Sequence, residues 1–181
     1  MRYTFFIFSI LFLIYLLLPS PSSINDFPPP PNSVKSTLEG DTIQVPNTSG
    51  YFSDNYRNFA TNYYRKQYQK KTWFPFPPLR LNHPPEFAYT VIKVETHSTY
   101  LEEFYYPFRD SLYVNGLEPF YEDGTSKYTG AHNFNDEGRV SKTKVTLRYY
   151  PSNILVRVIV WFGILGSILL IWKVGRKVIF H

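Results

Sequence analysis

Glu95, His97 and Glu102 come nearest, by residue type and spacing, to a chemical site in this chain. Two carboxylates and an imidazole are ligands for zinc or another divalent ion, which would activate a hydrolytic water. Glu95 and His97 are two apart, so on a continuing strand they share a face, and a helix beginning at Thr99 brings Glu102 near. The bland account of the same residues is a solvated strand end carrying Lys93, followed by a helix-capping glutamate. His83 before Pro84-Pro85, and His132, add no ligand spacing. No cysteine is present, which excludes thiolate chemistry and a disulfide framework. Nucleophile elbow, Gly-rich phosphate loop and HExxH are all missing from the sequence. The expectation is a protein without a cofactor and without enzymatic activity.

The elements around these residues read as an α+β fold: a helix, a central strand, a kinked helix and a C-terminal hairpin in a small aromatic-rich domain at 51–153. Ser53 or Asp54 can cap a helix running to about Lys70, with Phe52, Tyr56, Phe59, Ala60 and Tyr63 on one face. Arg65, Lys66, Lys70 and Lys71 gather at its C-terminal end and complement its dipole. The Pro-rich segment 73–85 reads as a rigid connection or as a peptide ligand for a groove. Residues 87–94, apolar on both faces, read as a buried central strand. Thr99 and Glu102 form a capping box, and Leu101, Phe104, Phe108 and Leu112 line the helix that follows. Pro107 kinks that helix and Asn115-Gly116 stops it. Residues 135–138 read as a hairpin loop. From 140 to 150, Ser141, Thr143, Val145, Leu147 and Tyr149 face one way, and Lys142, Lys144, Thr146 and Arg148 the other. Sixteen Tyr and sixteen Phe supply a core of rings.

Residues 154–172 read as a transmembrane helix. Asn153 is its N-cap, Arg157 lies one turn inside and can snorkel to the headgroups, and Trp172 suits the far interface. Residues 173–181 read as a basic cytoplasmic tail. Gly163, Gly166 and Ser167 are small residues that let helices approach, through self-association or pairing with the N-terminal apolar run. That run, within 1–18, is a signal anchor or a signal peptide, with Ser20-Pro21-Ser22 offering a possible cleavage before Ser23. Residues 19–50, with Pro28-Pro29-Pro30-Pro31, read as a Pro/Ser-rich tether. Arg2, Lys173, Arg176 and Lys177 are the positive-inside residues, which places the domain outside the cell membrane.

The net charge of +5 does not describe the middle of the chain. Setting aside Arg2, Arg157, Lys173, Arg176 and Lys177 leaves fourteen Lys and Arg against fourteen Asp and Glu. A neutral middle gives no case for nucleic-acid binding. The run 99–120 and the strand-to-span junction resemble uncharacterised single-domain membrane proteins of reduced-genome bacteria, a likeness that implies no activity. The function expected by elimination is an integral envelope protein acting on a protein partner, with the lipid bilayer as its other partner. A cell-surface glycan-binding module stacking sugars on Tyr and Trp is the alternative, and a metal-dependent hydrolase centred on His97 the third.

Overall fold

The computed structural model describes residues 2–38, 41, 45–93, 97–136 and 138–179. In chain order these form helix α1 (Arg2–Leu17), strands β1 (Val34–Lys35) and β2 (Thr48–Ser53), and helix α2 (Arg57–Thr72). Strand β3 (Leu79–His83), helix α3 (Ala88–Ile92), and strands β4 (Tyr100–Tyr105) and β5 (Ser111–Leu117) follow. Then come β6 (Phe134–Asp136), β7 (Arg139–Ser141), β8 (Thr143–Tyr150) and helix α4 (Ile154–Ile179). Six strands make one antiparallel sheet in the order β1-β2-β8-β5-β4-β3, and β6 pairs only with β7.

The alternation expected around 140–150 sets the sheet's main face. Thr143, Val145, Leu147 and Tyr149 are buried there, beside Leu112 and Val114 of β5 and Tyr100 and Phe104 of β4. Across them lies α2, which inserts Ala60, Tyr64 and Tyr68. Aliphatic and aromatic side chains share this face, with the rings clustered around Tyr68. Tyr68 packs between Phe27, Tyr106 and Tyr149 with centroids 5.3 to 6.3 Å away, at the tilted and edge-on angles that ring quadrupoles favour. Gly116 is required here, since a Cβ would lie 2.0 Å from the Tyr100 ring. The opposite face is covered in part by α3, and Lys144 on the polar side of β8 is buried against Asp41 and the Phe52 ring.

Several local expectations are overturned, each by a tertiary contact. Residues 87–93 are not a strand, Val94 lying outside the described residues: Pro85–Phe87 is a 3-10 turn leading into α3, whose Ala88 and Ile92, one helical turn apart, seat on the sheet. The kinked helix expected after Thr99 is the β4–β5 hairpin. Pro107 and Phe108 lie in its turn, Phe108 with a left-handed φ of 61°, and Arg109 N–H donates to Tyr106 O at 3.0 Å. Thr99 Oγ1 donates to Gly116 O instead of capping a helix. The buried face of α2 is rotated one position from the expected one, onto Ala60, Thr61, Tyr64, Tyr68 and Thr72. Its first N–H, on Arg57, is taken by the distant Glu118 carboxylate, and neither Ser53 nor Asp54 caps it.

The tether is also overturned. Ser23 and Asp26 close a capping box around a 3-10 turn, Phe27 enters the core, and Pro29 O accepts a bond from Tyr63 Oη. Farther along, Asp41 pairs with Lys144 at 3.0 Å. This stretch packs on the domain through Ile24 and Phe27, which supply the apolar surface it buries.

Among the described residues α4 is the one helix long and apolar enough to cross a membrane, and nearly all its surface is exposed. Asn153 caps it as expected, Oδ1 accepting from Leu155 N at 2.8 Å. The helix continues through Lys173, Arg176 and Lys177 to Ile179, so the expected tail is helical as far as described.

Candidate functional site

Two places have the geometry to matter. The first lies where α1 and α4 meet the sheet. Asp110, at the end of the β4–β5 turn, is buried with a guanidinium on either side. Arg157 Nη2 donates to Asp110 Oδ1 at 3.2 Å and to Ser20 Oγ at 2.8 Å. Its Nη1 donates to Leu16 O at 3.1 Å, and its Nε to Ser152 Oγ at 2.7 Å. Arg157 therefore does not snorkel. It is 3% exposed, turned back into the domain, and satisfies a carbonyl that the end of α1 would otherwise leave open. Arg109 reaches the same segment from the other side, donating to Pro19 O and Ser20 Oγ, each at 2.7 Å. Its guanidinium lies over the Tyr15 and Tyr106 rings, 5.5 Å from each centroid.

Asp110 Oδ1 also accepts from Ser20 Oγ at 2.8 Å, and Oδ2 is taken by tyrosines. Tyr68 and Tyr149 hydroxyls donate to Oδ2 at 2.6 and 2.9 Å. Burial, and after it the Asp110 charge, raise both phenols well above their ordinary value of 10, so they remain donors. The arrangement joins the last turn of α1, the first turn of α4 and the domain through one carboxylate. Beyond it the two helices run antiparallel in contact, Trp161 Nε1 donating to Ser9 O at 2.9 Å. Space around Gly163 and Gly166 is open, with no neighbouring atom within 4 Å of a built Cβ, so those glycines do not carry the α1–α4 contact; Ser167 is likewise exposed.

The second place is an open groove of about 540 Å³ lined by Pro85, Glu86, Tyr89, His97, Ser98, Thr99 and Tyr128. His97 stacks on Tyr128, centroids 5.6 Å apart and planes 15° from parallel. Glu95 lies outside the described residues. Glu102 is elsewhere, buried in mid-strand on the α2 face, and both its oxygens are taken by Arg57 and Arg80. Burial alone would raise its carboxyl, but the hydrogen bonds from Arg80 and Arg57, and their charges, leave it below the ordinary 4.5. A carboxylate so held is already neutralised by two guanidiniums, and no group of three metal-ligating side chains occurs among the described residues. Of the candidate Glu95, His97 and Glu102, the two described residues are not brought together, because Glu102 lies in mid-strand on β4 and not on a helix beside His97.

Tyr64, Tyr68, Tyr100, Tyr149, Phe27 and Phe104 are fully buried in the core, whereas Trp73, Phe76, Phe87, Tyr89, Phe108 and Tyr121 are exposed. Sequence reasoning missed Arg109 and Asp110 altogether. The signal available was Arg157 itself, since an arginine inside an apolar helix needs an acceptor somewhere. No protein-family model, no curated protein and no solved structure matches the chain.

Proposed function

We propose that the protein is an integral membrane protein in which α1 and α4 form an antiparallel hairpin across the bilayer, with the α/β domain seated on the outer face. The buried Arg157–Asp110–Arg109 cluster carries this reading. It ties α1 to the domain through the carbonyls of Leu16, Leu18 and Pro19, so α1 is a retained anchor. Cleavage before Ser23 would remove those acceptors and leave two buried cations short of partners. The antiparallel register supports the orientation. Leu16 lies level with Arg157, and about fourteen residues of helix, roughly 21 Å, bring Arg2 level with the Lys173–Lys177 end. Protease added to spheroplasts should digest the domain, once it is destabilised by mild denaturant, and spare a tag placed after His181. Loss of the tag with survival of the domain would reverse the orientation, and a chain beginning at Ser23 would remove the hairpin.

The domain works through a protein partner, without catalysis, and the support for this is edge strand β3. Among the described residues it pairs with β4 alone, at the edge of the sheet, and Leu79 and Leu81 on it are exposed. An apolar strand edge of this kind accepts an extended segment from another chain. A photo-crosslinking residue at position 81 should capture a discrete protein in intact cells, whereas the same residue at exposed Thr90 should not. Equal capture at both positions removes β3 as the contact.

A further inference from the structure

Three large rings stand out from the end of the domain that carries α1. Trp73 is 77% exposed, Phe76 66% and Phe108 59%. They are not scattered. Phe74 touches Tyr15 of α1 with centroids 5.1 Å apart and Phe76 at 5.6 Å, while Phe108 meets Phe12 of α1 at 6.0 Å. The patch is thus continuous with the apolar surface of α1 near its outer end. Trp73 and Phe108 are both held out on a left-handed backbone, φ 54° and 61°, a conformation unfavourable for a bulky side chain.

Rings so placed would cost free energy in water, and a phospholipid interface is the surroundings in which they gain it. α1 is 16 residues long, about 24 Å of helix, which falls short of a hydrocarbon core of about 30 Å. Apolar rings beside its outer end make up part of that shortfall. Lys70 and Lys71, exposed on the last turn of α2 next to Trp73, bring positive charge to where lipid phosphates would lie.

We propose that this underside is a lipid-binding surface: Trp73, Phe76 and Phe108 enter the outer-leaflet interface beside α1, with Lys70 and Lys71 at the phosphates. The inference rests on the hairpin reading above and goes beyond it, since a domain can be anchored by helices and still stand clear of the bilayer. The test uses the full chain in vesicles of phosphatidylcholine and phosphatidylglycerol brominated at defined acyl carbons. One variant keeps only Trp73 (Trp161→Phe, Trp172→Phe), and the other keeps only Trp161 (Trp73→Phe, Trp172→Phe). Trp73 emission should fall about twofold with bromines near the headgroup and less with bromines near the chain end. Trp161 should be quenched more by the deeper bromines. Unquenched Trp73 beside quenched Trp161 overturns the lipid-binding surface and leaves the hairpin standing. Neither probe quenched overturns the hairpin, and the surface with it.

Discussion

Glu102 and Asp110, eight positions apart, are each gripped by two arginines, yet the two clusters do different work. Around Glu102 the partners Arg57 and Arg80 come from α2 and β3, and their side chains keep 36% and 43% of their surface in solvent. Both guanidiniums could rehydrate if the carboxylate were lost. Around Asp110 all three side chains are sealed, and the arginines also hold backbone carbonyls at the end of α1. A half-exposed ion cluster pins neighbouring elements of one layer and is worth little beyond that. A sealed one is destructive to break, because the surviving charges have nowhere to go. The same composition therefore acts as a staple in one place and as a coupling between the domain and its two apolar helices in the other.

The largest expected effect follows from Asp110→Ala. Two buried cations lose their counter-ion, and the Tyr68 and Tyr149 hydroxyls each keep only a backbone acceptor, for a loss of about 3–5 kcal/mol in unfolding measured by denaturant titration in micelles. A loss no greater than that of Glu102→Gln would erase the distinction drawn here. Arg157→Lys comes next, at about 1–3 kcal/mol, since one ammonium cannot reach Asp110, Ser20, Ser152 and Leu16 O together. Its signature is faster amide exchange in the last turn of α1 with the sheet amides unchanged. Exchange that rises uniformly would show general destabilisation instead. Glu102→Gln should cost only about 1–2 kcal/mol, because Arg57 and Arg80 turn to water.

Titration sharpens the contrast further, with the smallest effects. The Glu102 carboxyl lies below its ordinary 4.5 in the folded protein, so its contribution is present above pH 4.5 and fades as pH falls through the lowered value. Tyr68 and Tyr149 lie above their ordinary 10. Their contribution is full below pH 10 and fades as pH rises beyond it, where the unfolded chain ionises first. In stability measured against pH, Glu102→Gln should flatten the acid limb and Tyr149→Phe the alkaline limb. Each substitution flattening the other's limb would show that the limbs are misassigned.

What the sequence made legible was what its neighbours decide. The apolar run and its Asn153 cap and the alternation of β8 depend on local spacing, and these are present. The stretches 87–93 and 99–112 were exchanged in type. Ala88 and Ile92 sit one helical turn apart within a β-branched run, and Thr99 with Glu102 mimics a capping box, so each local signal pointed away from the tertiary contact that prevailed. The Asp110 cluster was illegible for a different reason. Arg157 is 47 residues from Asp110 and 141 from Leu16, and only the folded chain brings them together.

Strand order has a consequence for how the chain is made. β8 lies between β2 and β5, so the β1–β2 pair and the β5-β4-β3 group share no edge until it arrives. It is also the last strand in sequence, three residues ahead of α4. In the orientation proposed above the domain crosses a membrane pore, where a chain has to remain open, and it lacks its joining strand until the segment before α4 has gone through. Transport can thus be nearly complete before the sheet closes, with the order of strands serving as the timer.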